Sequence, residues 1–181
     1  MKMQAAIVGL LLFGAAGLAH ANTAAVWAEG QGGFDSSSLA GNPAMPALGL
    51  RLGARVLVFE GYVDRAGFGD GSAVTRGILG LRGGFGSGDT RLVLRAGAGV
   101  LDEEGGAVTG HVEGTPDRRG PVGRIGAAVE TKLSSDFLFG VGLDGETFSL
   151  PAAGLVAPGR SGSVVGSDVF ANLHLTFELG V

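Results

Sequence analysis

A hydrophobic period of two, sustained through segment after segment, limits this chain more than any other feature of its sequence. In Thr90 to Leu101, Leu92, Leu94, Ala96, Ala98 and Val100 share one face of an extended chain, while Arg91, Arg95, Gly97 and Gly99 share the other. Val122 to Leu133 sets Ile125, Ala127, Val129 and Leu133 against Arg124, Gly126, Glu130 and Lys132. Phe137 to Phe148 sets Phe137, Phe139, Val141 and Leu143 against Gly140, Gly142, Asp144 and Glu146. The last segment alternates to Val181, with Leu173, Leu175, Phe177 and Leu179 opposite Asn172, His174, Thr176 and Glu178. No stretch carries a helical stripe, so the fold class is all-β.

The stretch GLRLGARVLVFEGYVDRAG, residues 49 to 67, changes phase partway. Up to Ala54 the even residues are apolar; from Leu57 the odd ones are, with Glu60 and Asp64 on the other face. A one-residue slip exchanges the two faces of a strand, so the slip marks a very tight turn or a bulge. Two strands meeting near Arg55–Leu57 bring the total to eight, and single-chain bacterial barrels have an even number. No Asn-Gly or Asp-Gly labels that turn. Elsewhere GSGD (86–89) and SSD (134–136) are tight turns. Residues 34–46, 66–72, 102–120 and 151–167 read as longer connections. Short turns at one end and long loops at the other describe an up-and-down meander.

Residues 1–21 read separately. Lys2 lies in a short polar start, an apolar run of about 14 residues follows, and Ala19-His20-Ala21 is an A-x-A cleavage site. That run is shorter than the roughly 20 residues a spanning helix needs. Residues 1–21 are therefore expected to be a cleaved signal peptide, and residues 22–181 a single exported domain.

Alternation alone does not say which face is inside. A soluble barrel buries its leucines and wets its polar face; a transmembrane barrel does the reverse. Strands of about 10 to 13 residues are close to the 9–11 that cross hydrocarbon at a tilt. Glycine is 36 of 181 residues, against roughly 7% in ordinary chains. On the polar faces it stands beside charges, where it makes room inside a narrow barrel. Phe85, Phe137 and Phe139 flank the tight turns as an interfacial girdle does. These features favour an eight-stranded antiparallel up-and-down transmembrane β-barrel with short periplasmic turns and longer outer loops. A secreted soluble β-barrel with an apolar ligand inside is the alternative.

GLRLGARV followed by LVFEGYVDRAG also resembles the second and third strands of small OmpA-like outer-membrane β-barrel domains. Their V-E-x-x-Y-V-D-x-G pattern corresponds here to Phe59-Glu60-Gly61-Tyr62-Val63-Asp64, with Gly67 shortly after. The resemblance covers the chain from residue 22 in pattern, and in detail only the two segments just quoted. It implies a barrel of the Gram-negative-type outer membrane, placed there by the barrel-insertion machinery. Two departures stand out. The turn between those strands is shorter, and the chain ends Phe177-Glu178-Leu179-Gly180-Val181 where such barrels commonly end in Phe or Trp. With the chain stopping at the barrel, no peptidoglycan-binding domain is expected to follow.

Parity places Arg51, Arg55, Arg76, Arg82, Arg91, Arg95, Arg124 and Lys132 inside, facing Glu60, Asp64, Glu130, Asp144, Glu146 and Glu178, with His174 among them. Eight cations against six carboxylates is nearly balanced. An eight-stranded interior is only wide enough for its side chains to fill, so the expectation is a salt-bridged plug, with a narrow channel as a lesser alternative. The net charge of −4 without a dense basic cluster excludes a nucleic-acid footprint. The absence of cysteine excludes disulfides and thiolate metal sites. His111 reads as a loop residue, Asp102-Glu103-Glu104 as a solvated turn, and GFGSG (84–88) lacks the helix a phosphate loop needs. No catalytic residue, cofactor or metal is expected. The expected partners are outer-membrane lipid, the insertion machinery and an extracellular ligand reached through the outer loops, with the chain a monomer.

Overall fold

The structure is a computed structural model and describes residues 24–37, 44–109, 117–152 and 162–180. The expected signal peptide and His111 lie outside the described residues. Eight strands follow one another: β1 (Ala24–Ser37), β2 (Met45–Val56), β3 (Phe59–Phe68), β4 (Ala73–Phe85), β5 (Thr90–Glu104), β6 (Arg118–Lys132), β7 (Phe137–Pro151) and β8 (Ser163–Gly180). Each pairs antiparallel with the next, and β1 pairs with β8 from Ala25↔Gly180 to Ser37↔Asp168, which closes the barrel. Closure leaves no unpaired strand edge, a condition for a sheet in hydrocarbon.

The phase slip at residues 55–57 is a two-residue hairpin, Leu57-Val58. Leu57 has φ 57°, and Val58 is not among the positive-φ residues. One positive φ at the first of two central positions is the requirement of a II′ hairpin. With this turn, Arg51 stands opposite Asp64 and Arg55 opposite Glu60. The slip therefore keeps four charges of two strands on one face.

That face is the interior. Around the outside, Leu48, Leu50, Leu52, Phe59, Val63, Leu79, Ile125, Val141, Leu143, Leu173 and Leu175 are exposed, Leu48 and Leu79 by 76% and 77%. Inside, Arg51, Asp64, Glu130 and Thr176 are at most 1% exposed. The polarity of a soluble protein is reversed on every strand, and such an exterior fits the hydrocarbon of a bilayer. Phe59, Phe137, Phe139 and Phe177 ring the short-turn end on the outside, where Phe137 and Phe177 pack at 5.1 Å.

The connections correct the sequence reading in length. Turns 57–58, 86–89 and 133–136 lie at one end with the start of β1 and the end of β8. At the other end, β3 and β4 are joined by only residues 69–72, where Asp70 Oδ1 accepts from Ser72 N at 2.9 Å and Ser72 Oγ at 2.6 Å. Strands also run into the segments expected as loops, reaching Ser37, Glu104, Arg118, Pro151 and Ser163. Pairing continues there with polar residues such as Thr147, Ser149, Ser163 and Ser167 on the outward face. Hydrocarbon takes only about 9–11 residues of a tilted strand. Strand β8 is much longer than that, and its polar loop end stands beyond the apolar layer.

Leucine in the left-handed region costs about 1–2 kcal/mol relative to glycine. Leu57→Gly is expected to stabilise the barrel by roughly 1 kcal/mol. Equilibrium urea unfolding in lipid vesicles measures this; an unchanged or lowered midpoint would contradict the turn geometry.

Candidate functional site

Strand alternation delivers one inward side chain per two residues, and the inward set divides into two layers. The layer toward the short turns and the barrel centre is charged. Glu130 of β6 receives Arg82 at 2.8 Å, Arg91 at 2.9 Å and Arg95 at 3.3 Å, with His174 Nε2 at 3.8 Å. Asp64 of β3 receives Arg124 at 2.7 Å, Arg76 at 3.3 Å and Arg51 at 3.4 Å. Asp144 of β7 takes Arg124 at 2.8 Å and Arg51 at 3.4 Å, and Glu146 takes Arg76 at 2.7 Å. Glu29 of β1 joins the two groups, bonded to Arg51 at 2.9 Å and Arg95 at 3.2 Å, and accepts from Thr176 at 3.1 Å. Nearer the open end, Arg55 pairs with Glu178 at 2.5 Å, and Glu60 lies 3.8 Å from both Arg82 and Arg95.

Small residues create this space. A Cβ on Gly53 would stand 2.5 Å from the Trp27 ring, and Gly126 and Gly140 face Asp144 and His174 with equally little room. Trp27 and Tyr62 line the network, with the Arg51 guanidinium 4.8 Å from the Tyr62 ring centre and that of Arg95 5.8 Å from Trp27. Two small voids each touch Arg95 and Asp144. Each has room for about one water.

Toward the long loops an apolar cluster joins the inward set. Phe68, Val74, Leu101, Val122, Phe148, Leu150 and Phe170 form a buried cluster that includes Ala107 and Val108 of the β5–β6 connection. This connection turns inward through Gly105 and Gly106, whose φ values are 65° and 79°. Glu103 holds it there: its Oε1 accepts from Val108 N at 2.9 Å, Thr109 N at 2.7 Å and Thr109 Oγ1 at 2.7 Å, and Oε2 lies 3.2 Å from Arg118. Asp102-Glu103-Glu104 is therefore not a solvated turn. It ends strand β5, with Glu103 fully buried and Glu104 facing outward to Arg65.

The structure brings together Arg51, Arg55, Glu60, Asp64, Arg76, Arg82, Arg91, Arg95, Arg124, Glu130, Asp144, Glu146, His174 and Glu178. Lys132 is the exception and is exposed. It has inward parity, but as the last residue of β6 it sits at the open rim, where its ammonium stays in water. His174 is a buried hydrogen-bonding residue, with Nδ1 2.9 Å from Asn172 Oδ1.

Parity reading overlooked Glu29, Gln31 and Asp35 on β1, Asp168 on β8, and the Glu103–Arg118 pair. On β1 the alternation is present, Trp27, Glu29 and Gln31 against Val26, Ala28 and Gly30, but a tryptophan on the inward face disguises it. With these residues the described interior holds eight arginines (51, 55, 76, 82, 91, 95, 118, 124) and ten carboxylates (29, 35, 60, 64, 103, 130, 144, 146, 168, 178). The near balance expected from sequence becomes a surplus of two carboxyl groups.

No family model and no curated protein sequence matches the chain. Solved structures do. The Neisserial surface protein A crystal structure superposes with a TM-score of 0.57 at 11% identity, covering 86% of this chain and 96% of that one. The N-terminal β-barrel domain of Pseudomonas aeruginosa OprF superposes with a TM-score of 0.54 at 16% identity, covering 86% of this chain and 97% of that one.

The fold is that of a small outer-membrane β-barrel. In such a barrel the Glu130 cluster lies below the outer layer, and its charges balance only through one another. Removing one partner of a buried ion pair costs about 3–5 kcal/mol. Glu130→Gln, which leaves Arg82, Arg91 and Arg95 facing a neutral amide, is expected to lower stability by roughly that amount, while Lys132→Ala leaves it unchanged. Urea unfolding of the two variants in vesicles checks the pair; equal stabilities would contradict the burial of this network.

Proposed function

We propose that this chain is a non-enzymatic barrel of the outer membrane, exported by the signal peptide of residues 1–21. It is anchored by its strands, closed by its own side chains, and in contact with the exterior through its loops. The observation that carries this reading is the reversed polarity: leucine, valine and phenylalanine exposed around the strands, and arginine–carboxylate pairs buried within. Ions meet two barriers on the axis. The charged layer fills the lumen with fixed pairs of both signs, and toward the long loops the side chains of Phe68, Leu101, Phe148 and Leu150 pack into it. The plug reading is therefore favoured over a channel, which takes an excess of one sign at its constriction. An apolar ligand inside is disfavoured by the same charged lumen. Hydrolytic chemistry is disfavoured too, since it wants a nucleophile beside an oriented base, and the polar neighbours of His174 are Asn172 and Glu130.

The orientation puts turns 57–58, 86–89 and 133–136 in the periplasm and the longer connections outside. An epitope tag between Thr109 and Asp117 is expected to bind antibody on intact cells. The same tag in turn 133–136 should bind only after permeabilisation. The reverse pattern would refute the orientation. In planar lipid bilayers the reconstituted chain is expected to add no conductance steps; regular steps would refute the plug.

A further inference from the structure

After Glu104 the chain leaves the sheet and turns into the lumen. The last ladder pairs of β5 are Ala73↔Glu104 on one side and Glu103↔Arg118 on the other, so residues 105–109 lie past the strand pairing. Gly105 and Gly106 follow at φ 65° and 79°. These are two consecutive left-handed positions, which glycine takes without steric cost. They deliver Ala107 and Val108 against the apolar cluster, with Val108 1% exposed. Two small side chains remove little apolar area from water. The polar hold is denser. Three donors of this segment, Val108 N, Thr109 N and Thr109 Oγ1, converge on the single oxygen Oε1 of Glu103, at 2.9, 2.7 and 2.7 Å. Arg118 completes the arrangement, donating to Glu103 Oε2 at 3.2 Å and to Thr109 Oγ1 at 2.6 Å. Hydrogen bonds to an ionised acceptor are about twice as strong as neutral ones. The strands are held by ladders that close on themselves, whereas the hold on residues 105–109 centres on one carboxylate.

We propose that residues 105–109 are a strap that closes the loop-end mouth of the lumen and opens as a unit, with Gly105-Gly106 as its hinge and Glu103 as its clasp. Opening leaves the sheet intact, because the ladders of β5 stop before the strap. It uncovers Phe68, Leu101, Phe148, Leu150 and Phe170, while the Glu130 and Asp64 clusters stay in place. The strap is a gate on the loop-end part of the lumen, set by the contacts of Glu103 and separate from the stability of the barrel. This proposal rests on the reading of the chain as a membrane barrel closed by its own side chains.

The chain contains no cysteine, so a single introduced one reports its own accessibility. Val108→Cys and, as a reference, Val93→Cys are made in the full chain, purified in detergent micelles and reacted with a charged maleimide. Val93 is 1% exposed and lines a void beside Arg95, away from the strap. Val108→Cys is expected to react slowly in the folded barrel, and about tenfold faster or more once Glu103→Gln is added. Val93→Cys is expected to react slowly in both backgrounds. Thr109→Val removes one of the three donors and an acceptor of Arg118. It gives a smaller acceleration, and it decides should Glu103→Gln fail to fold. Fast reaction of Val108→Cys with the clasp intact overturns the proposal. So does an unchanged rate in the clasp variants, or an equal acceleration at Val93→Cys, since the whole barrel has then loosened. The underlying reading is checked apart on the same samples: a wild type whose gel mobility does not change on boiling fails the barrel, whereas the labelling contrast decides the strap alone.

Discussion

Everything in this structure depends on closing the sheet through β1 and β8. In hydrocarbon each backbone N–H and C=O must find its partner within the protein, and only a sheet without edges provides that for strands. Closure with eight strands also fixes the diameter, leaving a lumen only wide enough for side chains to fill. Charges sent inward by strand alternation then have no water to retreat to, and they meet their opposites across the barrel axis. Glu29 on β1 bonded to Arg95 on β5, and Arg76 on β4 bonded to Glu146 on β7, are contacts between strands that are not neighbours in the sheet. Such pairs contribute modestly to stability when intact, and breaking one is costly.

The lumen is graded along its axis. Toward the short turns it is charged and open at the rim, where Arg91 is part-exposed and Lys132 is in water. At the centre the arginines share carboxylates three at a time. Toward the long loops an apolar cluster joins the buried Asp35, Asp168 and Glu103–Arg118 pair, and the β5–β6 connection folds back into the lumen under the hold of Glu103. A barrel built this way has a different character at each end. One end closes in tight turns with little surface for recognition, while the other carries the connections of greatest length.

Much of this was legible in the residues. The strand count followed from the phase slip together with the even strand number of single-chain barrels, because a one-residue change of parity exchanges the two faces and marks a tight turn or a bulge. The charged faces of β2 to β8 were legible for the same reason. The rest was hidden by physical exceptions to alternation. Trp27, Tyr62 and Ile78 are apolar residues on the inward face, since a lumen accepts any side chain that fits. Asp35, Asp168 and Glu103 lie in stretches whose glycine, serine and acid content reads as loop, although pairing continues through them beyond the hydrocarbon. Lys132 failed in the opposite sense, for parity sets direction and says nothing of depth. Contacts across the lumen depend on the shear of the closed barrel, which no single strand encodes.

The central claim is that the leucine face meets lipid and the charges lie within a closed barrel. It is tested most directly by the gel mobility of the chain extracted in detergent from the outer-membrane fraction, run in SDS with and without boiling. The account predicts a faster-migrating unheated band that shifts on boiling, because a closed barrel with its backbone fully paired resists SDS until heated. Identical mobility in both lanes, with the protein recovered from the soluble periplasmic fraction, would contradict it and turn the two faces of every strand inside out.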